Sequence, residues 1–143
     1  MARLEKLSII VFSCSFDRVH YALATAAAAA ATNTPVTLLF TMGATHALTR
    51  DKNAKPGWSK LMHSEDKGDG AVWNACHQTN GVAGFEELLE ACIALEVKFL
   101  VCEMGLSAAG LDEKTLRDDV PIEQGGLVTF LADAETNGSM LFI

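Results

Sequence analysis

Five short apolar runs constrain this chain more than any other feature: Leu7–Phe12, Val36–Phe40, Phe99–Val101 with Val97 leading it, a short one near Val120–Ile122, and Met140–Ile143. None shows the clean in–out alternation of a sheet with one wet face, and such runs suit parallel strands covered on both sides. Helical patterns separate them, over about Asp17–Ala31, Phe85–Leu95 and Gly126–Thr136, and Asn137-Gly138 supplies a stop before the last run. Strand and helix in alternation imply right-handed crossovers and a parallel sheet. The expected architecture is α/β: a three-layer α/β/α sandwich around a mainly parallel sheet of about five strands. Residues 1–143 are expected to form a single domain with an irregular insertion at about 50–81.

A chain of 143 residues can bury a core without staples. The net charge of −7 argues against a nucleic-acid or anionic-membrane surface, since both demand basic patches. The stretch Val19–Thr49 carries no Asp, Glu, Lys or Arg, but Thr32-Asn33-Thr34-Pro35 divides it into a helix and a strand. No membrane span is therefore expected. Arg3 and Lys6 precede the run Leu7–Phe12, yet Glu5 interrupts them and no small-x-small site follows, so a first strand is expected rather than an export signal. Cys14, Cys76, Cys92 and Cys102 are irregularly spaced, as in a cytoplasmic protein with free thiols.

The segment Val97–Leu106 holds the strongest chemical candidate. Cys102 follows a strand directly and precedes a helical stretch, at the sheet edge where open α/β folds hold ligands. A helix start there would favour the thiolate, the attacking form. Equally, cysteine is among the most buried residue types and often only packs. Cys14 follows the first strand and should emerge at the same edge; whether it neighbours Cys102 is open. Cys92 lies with Phe85, Leu88, Leu89 and Leu95 on one helical face and reads as inert core. Asp17 reads as a cap or dipole partner of the first helix.

In the insertion, Trp58, Leu61 and Met62 suggest a short amphipathic turn that packs on the body or, as preferred, on a neighbouring subunit. Cys76, His77, His63, His46 and His20 supply potential metal donors. Without a C-x-x-C or H-x-x-x-H spacing, no metal site is assigned. Strand one leads into Ser13-Cys14-Ser15-Phe16-Asp17 rather than a phosphate-cradling glycine loop, and no Ser-His-Asp arrangement is deducible.

Several of these segments together resemble the DsrE/DsrF-like sulfur-carrier proteins, and among them the soluble DsrE2-type branch. They are the Ala-rich first helix leading to Val36-Thr37-Leu38-Leu39-Phe40-Thr41, with Gly43 and Leu48 after it; Phe85-Glu86-Glu87-Leu88-Leu89; Val97-Lys98-Phe99-x-x-Cys102-x-Met104; Gly125-Gly126-Leu127-Val128-Thr129-Phe130-Leu131; and Leu141-Phe142-Ile143. The chain departs from that branch at Met104-Gly105-Leu106 and in the Trp58/His63/Trp73/Cys76/His77 segment. The resemblance implies a cytoplasmic sulfur carrier or sulfurtransferase that bears a persulfide on Cys102. Cys14, Met104 and His77 would be auxiliary residues, and no organic cofactor would be needed. Its partners would be sulfur donor and acceptor proteins or small thiols, and the chain would form a homo-oligomer. The alternative is a non-enzymatic oligomeric binding or assembly module of the same fold. The insertion is expected to screen access to Cys102.

Overall fold

The computed structural model describes residues 3–143. Five strands, β1 (Leu7–Val11), β2 (Val36–Phe40), β3 (Lys98–Val101), β4 (Ile122–Gln124) and β5 (Ser139–Phe142), form one sheet in the order β4-β3-β2-β1-β5. Every pairing is parallel. The helices are α1 (Phe16–Ala31), α2 (Gly70–Thr79), α3 (Phe85–Ala94), α4 (Glu103–Ala108) and α5 (Leu127–Asp133). The three-layer α/β/α arrangement expected from the strand runs is the one observed, although β4, α5 and β5 sit within a few residues of their expected limits. No helix among the described residues is long and apolar enough to cross a membrane.

The two faces of the sheet are covered unequally. Parallel register aligns Ile9, Leu38 and Phe99 in one row and Ile10, Leu39 and Leu100 in the next. The first row, with Val11, Phe40 and Val101, packs under α1 and α3 in the main core. Each fully buried Leu or Phe there contributes about 1.5–3 kcal/mol from apolar burial. Alanine gives α1 its helical propensity, and Ala22 and Ala26, fully buried, let it approach closely. Cys92 is the inert core residue its helical face predicts: it is fully buried, and desolvation pushes its thiol up to about 12.

The second row meets only α5, through Phe130. This seven-residue helix is anchored by its last residue, Asp133, which takes Lys6 at 2.9 Å, Lys98 at 3.3 Å and the Thr37 hydroxyl at 2.6 Å. Burial works against that carboxylate's charge. The hydrogen bonds from Thr37 and Lys6, with the Lys98 ammonium beside them, outweigh it and hold the carboxyl down at about 2.

The 50–81 segment corrects the sequence reading twice. It contains the helix α2, which its weak apolar periodicity concealed, because Asp69 caps the first turn through Val72 N–H at 3.1 Å while most of the helix stays near solvent. And Trp58 is buried within this chain rather than at a subunit contact. Its ring stacks on Phe85 (5.0 Å) and lies tilted against Phe16 (5.9 Å), its Nε1–H donates to Glu86, and Leu61 is also buried.

Arg117, 5 % exposed, fastens the far end of this packing. It donates to Glu86 at 2.9 Å and to Asp119 at 2.7–2.8 Å, and these bonds outweigh its desolvation and raise its already high pKa further. Removing one partner of a fully buried pair costs about 3–5 kcal/mol. Glu86 and Asp119 remain over 40 % exposed and can rehydrate. Arg117→Ala should therefore lower stability by only about 2 kcal/mol in denaturant titration; a change below about 0.5 kcal/mol, the range of ordinary surface substitutions, would contradict this role.

Candidate active site

Cys102 follows β3 directly and is the N-cap residue of α4. Its N–H donates to Phe40 O at 3.1 Å and its carbonyl accepts from Leu106 N, so the backbone at the thiol is fixed on both sides. Pairing of β3 with β2 and β4 thus determines where the sulfur lies. The residue is 3 % exposed and packs with Leu39, Leu100 and Phe130 on the thinly covered face. A cavity of about 570 Å³ opens there, lined by Cys102, Glu103 and Met104 on one side and by Gln124, Gly125, Gly126 and the first turn of α5 on the other. Gly125 N–H donates to Val101 O, which draws the Gly-Gly turn up to the strand end.

The dipole argument for this thiol weakens in the structure. Helix α4 has six residues, so few peptide dipoles align behind Cys102. What the fold supplies instead is enclosure with an apolar lip. Gly105 is essential to it: a Cβ there would lie 2.6 Å from the Met42 backbone nitrogen and 2.9 Å from Thr41 Oγ1. Met42 itself holds a left-handed φ of 50°, uncommon for a long side chain, at the end of β2.

Of the auxiliary residues, Met104 alone joins Cys102 at its cavity, where it is more than half exposed. Cys14 does emerge at the same sheet edge, but β2 lies between β1 and β3. Strands two apart are roughly 9–10 Å from each other, beyond the roughly 7 Å Cα separation that a disulfide spans. All four cysteines are free. Cys14 is exposed and lines two other cavities, one of about 470 Å³ with His46, Lys60, Leu61 and Met62, the other of about 420 Å³ with Arg18, Met42 and Phe142. The second opens between the ends of β1 and β5, where the strand order reverses, the usual ligand position of open α/β sheets. Gly43 permits this loop to fold in, since a Cβ there would meet the Cys14 Cβ at 2.6 Å. Neither cavity was legible from sequence, for the second depends on the reversal at β5 and the first on how the 50–81 segment folds back.

His77 does not line the Cys102 cavity, nor does any residue of the 50–81 segment. That segment walls the Cys14 cavity instead, through Gly57, Lys60, Leu61 and Met62. The expectation that it screens Cys102 is corrected accordingly. Among the described residues, no three His, Cys, Asp or Glu side chains are placed to share a metal ion. Asp17, expected as a cap, accepts from Ser64 N–H and Oγ–H at 2.8 and 2.5 Å and so tethers the insertion to α1. Cys76 is exposed on α2.

A parallel five-stranded sheet with a cysteine at the end of β3, facing a Gly-Gly turn, is accompanied by a match of residues 52–142 to the model of the DsrE/DsrF/DrsH-like family; the chain belongs to that family. It is also similar to the uncharacterized protein YrkE of Bacillus subtilis (strain 168), with 28 % identity over 97 % of each chain.

Burial makes a prediction about the thiols. In the native protein, Cys14 and Cys76 should react with a bulky maleimide first, Cys102 at least tenfold more slowly, and Cys92 only on unfolding. Peptide mapping of timed samples reads the order; Cys102 labelling as fast as Cys14 would show that the enclosure does not hold in solution.

Proposed function

We propose that the protein is a sulfur carrier that holds a persulfide on Cys102. The observation that carries this reading is the placement of Cys102 at the end of β3, at the wall of a cavity framed by α4 and the Gly125-Gly126 turn, in a chain of the DsrE/DsrF/DrsH-like family. The Cys102 thiolate attacks the outer sulfur of a donor persulfide R–S–SH. A new S–S bond forms as the donor's S–S bond breaks, leaving Cys102–S–SH and R–S⁻. Transfer onward repeats the exchange with an acceptor thiol as nucleophile. No cofactor enters these steps. Enclosure by Leu39, Leu100 and Phe130 slows reaction of the bound sulfur with oxidants, which would otherwise carry a thiol up an irreversible ladder. Met104 gives the cavity a soft apolar lip for an approaching partner. Cys14, exposed between its two cavities, acts as an auxiliary thiol for small sulfur compounds. Such exchange requires reduced thiols, which suits a cytoplasmic location.

The test is mass spectrometry after incubation with a low-mass persulfide donor. Wild-type protein should gain the mass of one sulfur on the peptide containing Cys102, and Cys102→Ser should lose that adduct while keeping its circular dichroism spectrum. An adduct found only on Cys14 would transfer the carrier role to that residue.

A homo-oligomer is part of the same proposal, but on a different face from the one the insertion suggested. Val128 is 84 % and Phe142 67 % exposed, and Phe12, Met104, Leu127, Leu131 and Met140 are also exposed. Met140 and Phe142 share their strand face with Ser8 and Ile10, the side that α5 covers only in part. Large exposed apolar surface marks interfaces, and Met104, Leu127 and Val128 also line the Cys102 cavity. A second copy seated there would complete the thin layer. Light scattering should show an assembly at micromolar concentration that Val128→Asp shifts to monomer; a wild-type monomer would refute self-association. The same surface favours the alternative reading, a non-enzymatic assembly module, if no Cys102 persulfide forms while the assembly persists.

A further inference from the structure

Three histidines absent from the Cys102 site converge between α1, α2 and the loop that joins the 3₁₀ turn Gly57–Lys60 to α2. The His20 and His77 rings lie 4.7 Å apart, and both pack on Phe16. His20 Nε2 is 2.9 Å from Ala83 O, a partner that only an N–H satisfies, which leaves its Nδ1 bare in the neutral ring. His63 packs on Trp73 at 4.5 Å, and its Nδ1 accepts from the N–H groups of Glu65 and Asp66 at 3.1 and 3.0 Å. We infer that His20, His63 and His77 form an acid-sensitive latch that docks residues 63–79 on α1 when neutral and releases them when protonated.

Protonation strains the docked segment at two places. A proton on His63 Nδ1 converts the acceptor of two N–H groups into a third donor facing them. A proton on both His20 and His77 sets like charges 4.7 Å apart in a half-buried site. The charged groups facing the cluster are few. Asp17 on α1, 3.9 Å from His63 Nε2, attracts a charged His63, and Glu65 and Asp66 carry carboxylates on the residues whose N–H groups bond its Nδ1, so release depends on the lost Nδ1 acceptor and on the His20–His77 pair. Glu86 on α3 is taken by Arg117 and Trp58. His77 is lowered below its ordinary 6.5, first by desolvation and then by His20 and His63. A depressed folded value means that the docked state is fully stable above about 6.5 and loses stability as pH falls from there. Gly70 is the one fully buried residue of α2, and besides the histidines the helix is held by Trp73, packed against the main core, and by Asn74 Oδ1, which accepts from Phe85 N–H at 2.7 Å. Met62, next to His63, is bridged to Ser15 and Asp69 and walls the Cys14 cavity, so release reaches that cavity at one side.

Hydrogen exchange on the intact protein tests this independently of any sulfur chemistry. Protection factors, corrected for intrinsic exchange, should fall roughly tenfold or more for amides 70–79 between about pH 7.5 and pH 5.5, while β1–β3 amides hold. Trp73 fluorescence should change over the same range. His63→Gln and His77→Gln should each remove much of the pH dependence while retaining protection at the upper pH. Protection of α2 that is constant with pH, or a pH dependence unchanged in both variants, would overturn the latch.

Discussion

Parallel pairing across all five strands is the constraint on which the rest depends. It places every strand's carboxyl end at one edge and fixes which row of side chains meets which helical layer. Ile9, Leu38 and Phe99 are thereby committed to α1 and α3, and Ile10, Leu39 and Leu100 to the side that α5 alone protects. The thiol of Cys102 inherits its surroundings from that second row. Its chemistry is set less by a helix end than by the backbone bond to Phe40 that holds it between a packed strand and a Gly-Gly turn.

The same pairing separates the two thiols at the edge. One intervening strand keeps Cys14 and Cys102 from bonding, and they open onto different cavities. The sulfur of Cys102 is enclosed, whereas that of Cys14 is exposed. Between their loops lies the Thr41–Gly43 turn, in contact with Cys14 on one flank and Gly105 on the other.

The strands were legible because buried parallel strands are short, apolar and bounded by helical patterns; Leu7–Val11 and Val36–Phe40 show this most clearly. Cys102 was legible because its strand ends on it. The insertion was not. Helix α2 has no continuous apolar stripe, since it is held by a cap, by aromatic stacking and by imidazoles rather than by a hydrophobic face. Trp58 was misplaced at an interface for a related reason. Its partners Phe16 and Phe85 are distant in sequence, and no periodicity connects them. Conversely, the exposed apolar face arises from residues that sequence assigns to an ordinary final helix and strand, and only their pairing at the sheet's edge leaves them uncovered.

Gly43 and Gly105 have a consequence for how this chain can vary. Each sits where the next backbone leaves no room for a methyl group, and the neighbouring atoms belong to main chain or to the root of a side chain. In a library of random substitutions, the outer alanines of α1 should accept almost any helix-compatible replacement. These two positions should return almost none. Sequence drift would then be concentrated on the helical back of the molecule, while the edge bearing the two thiols changes least.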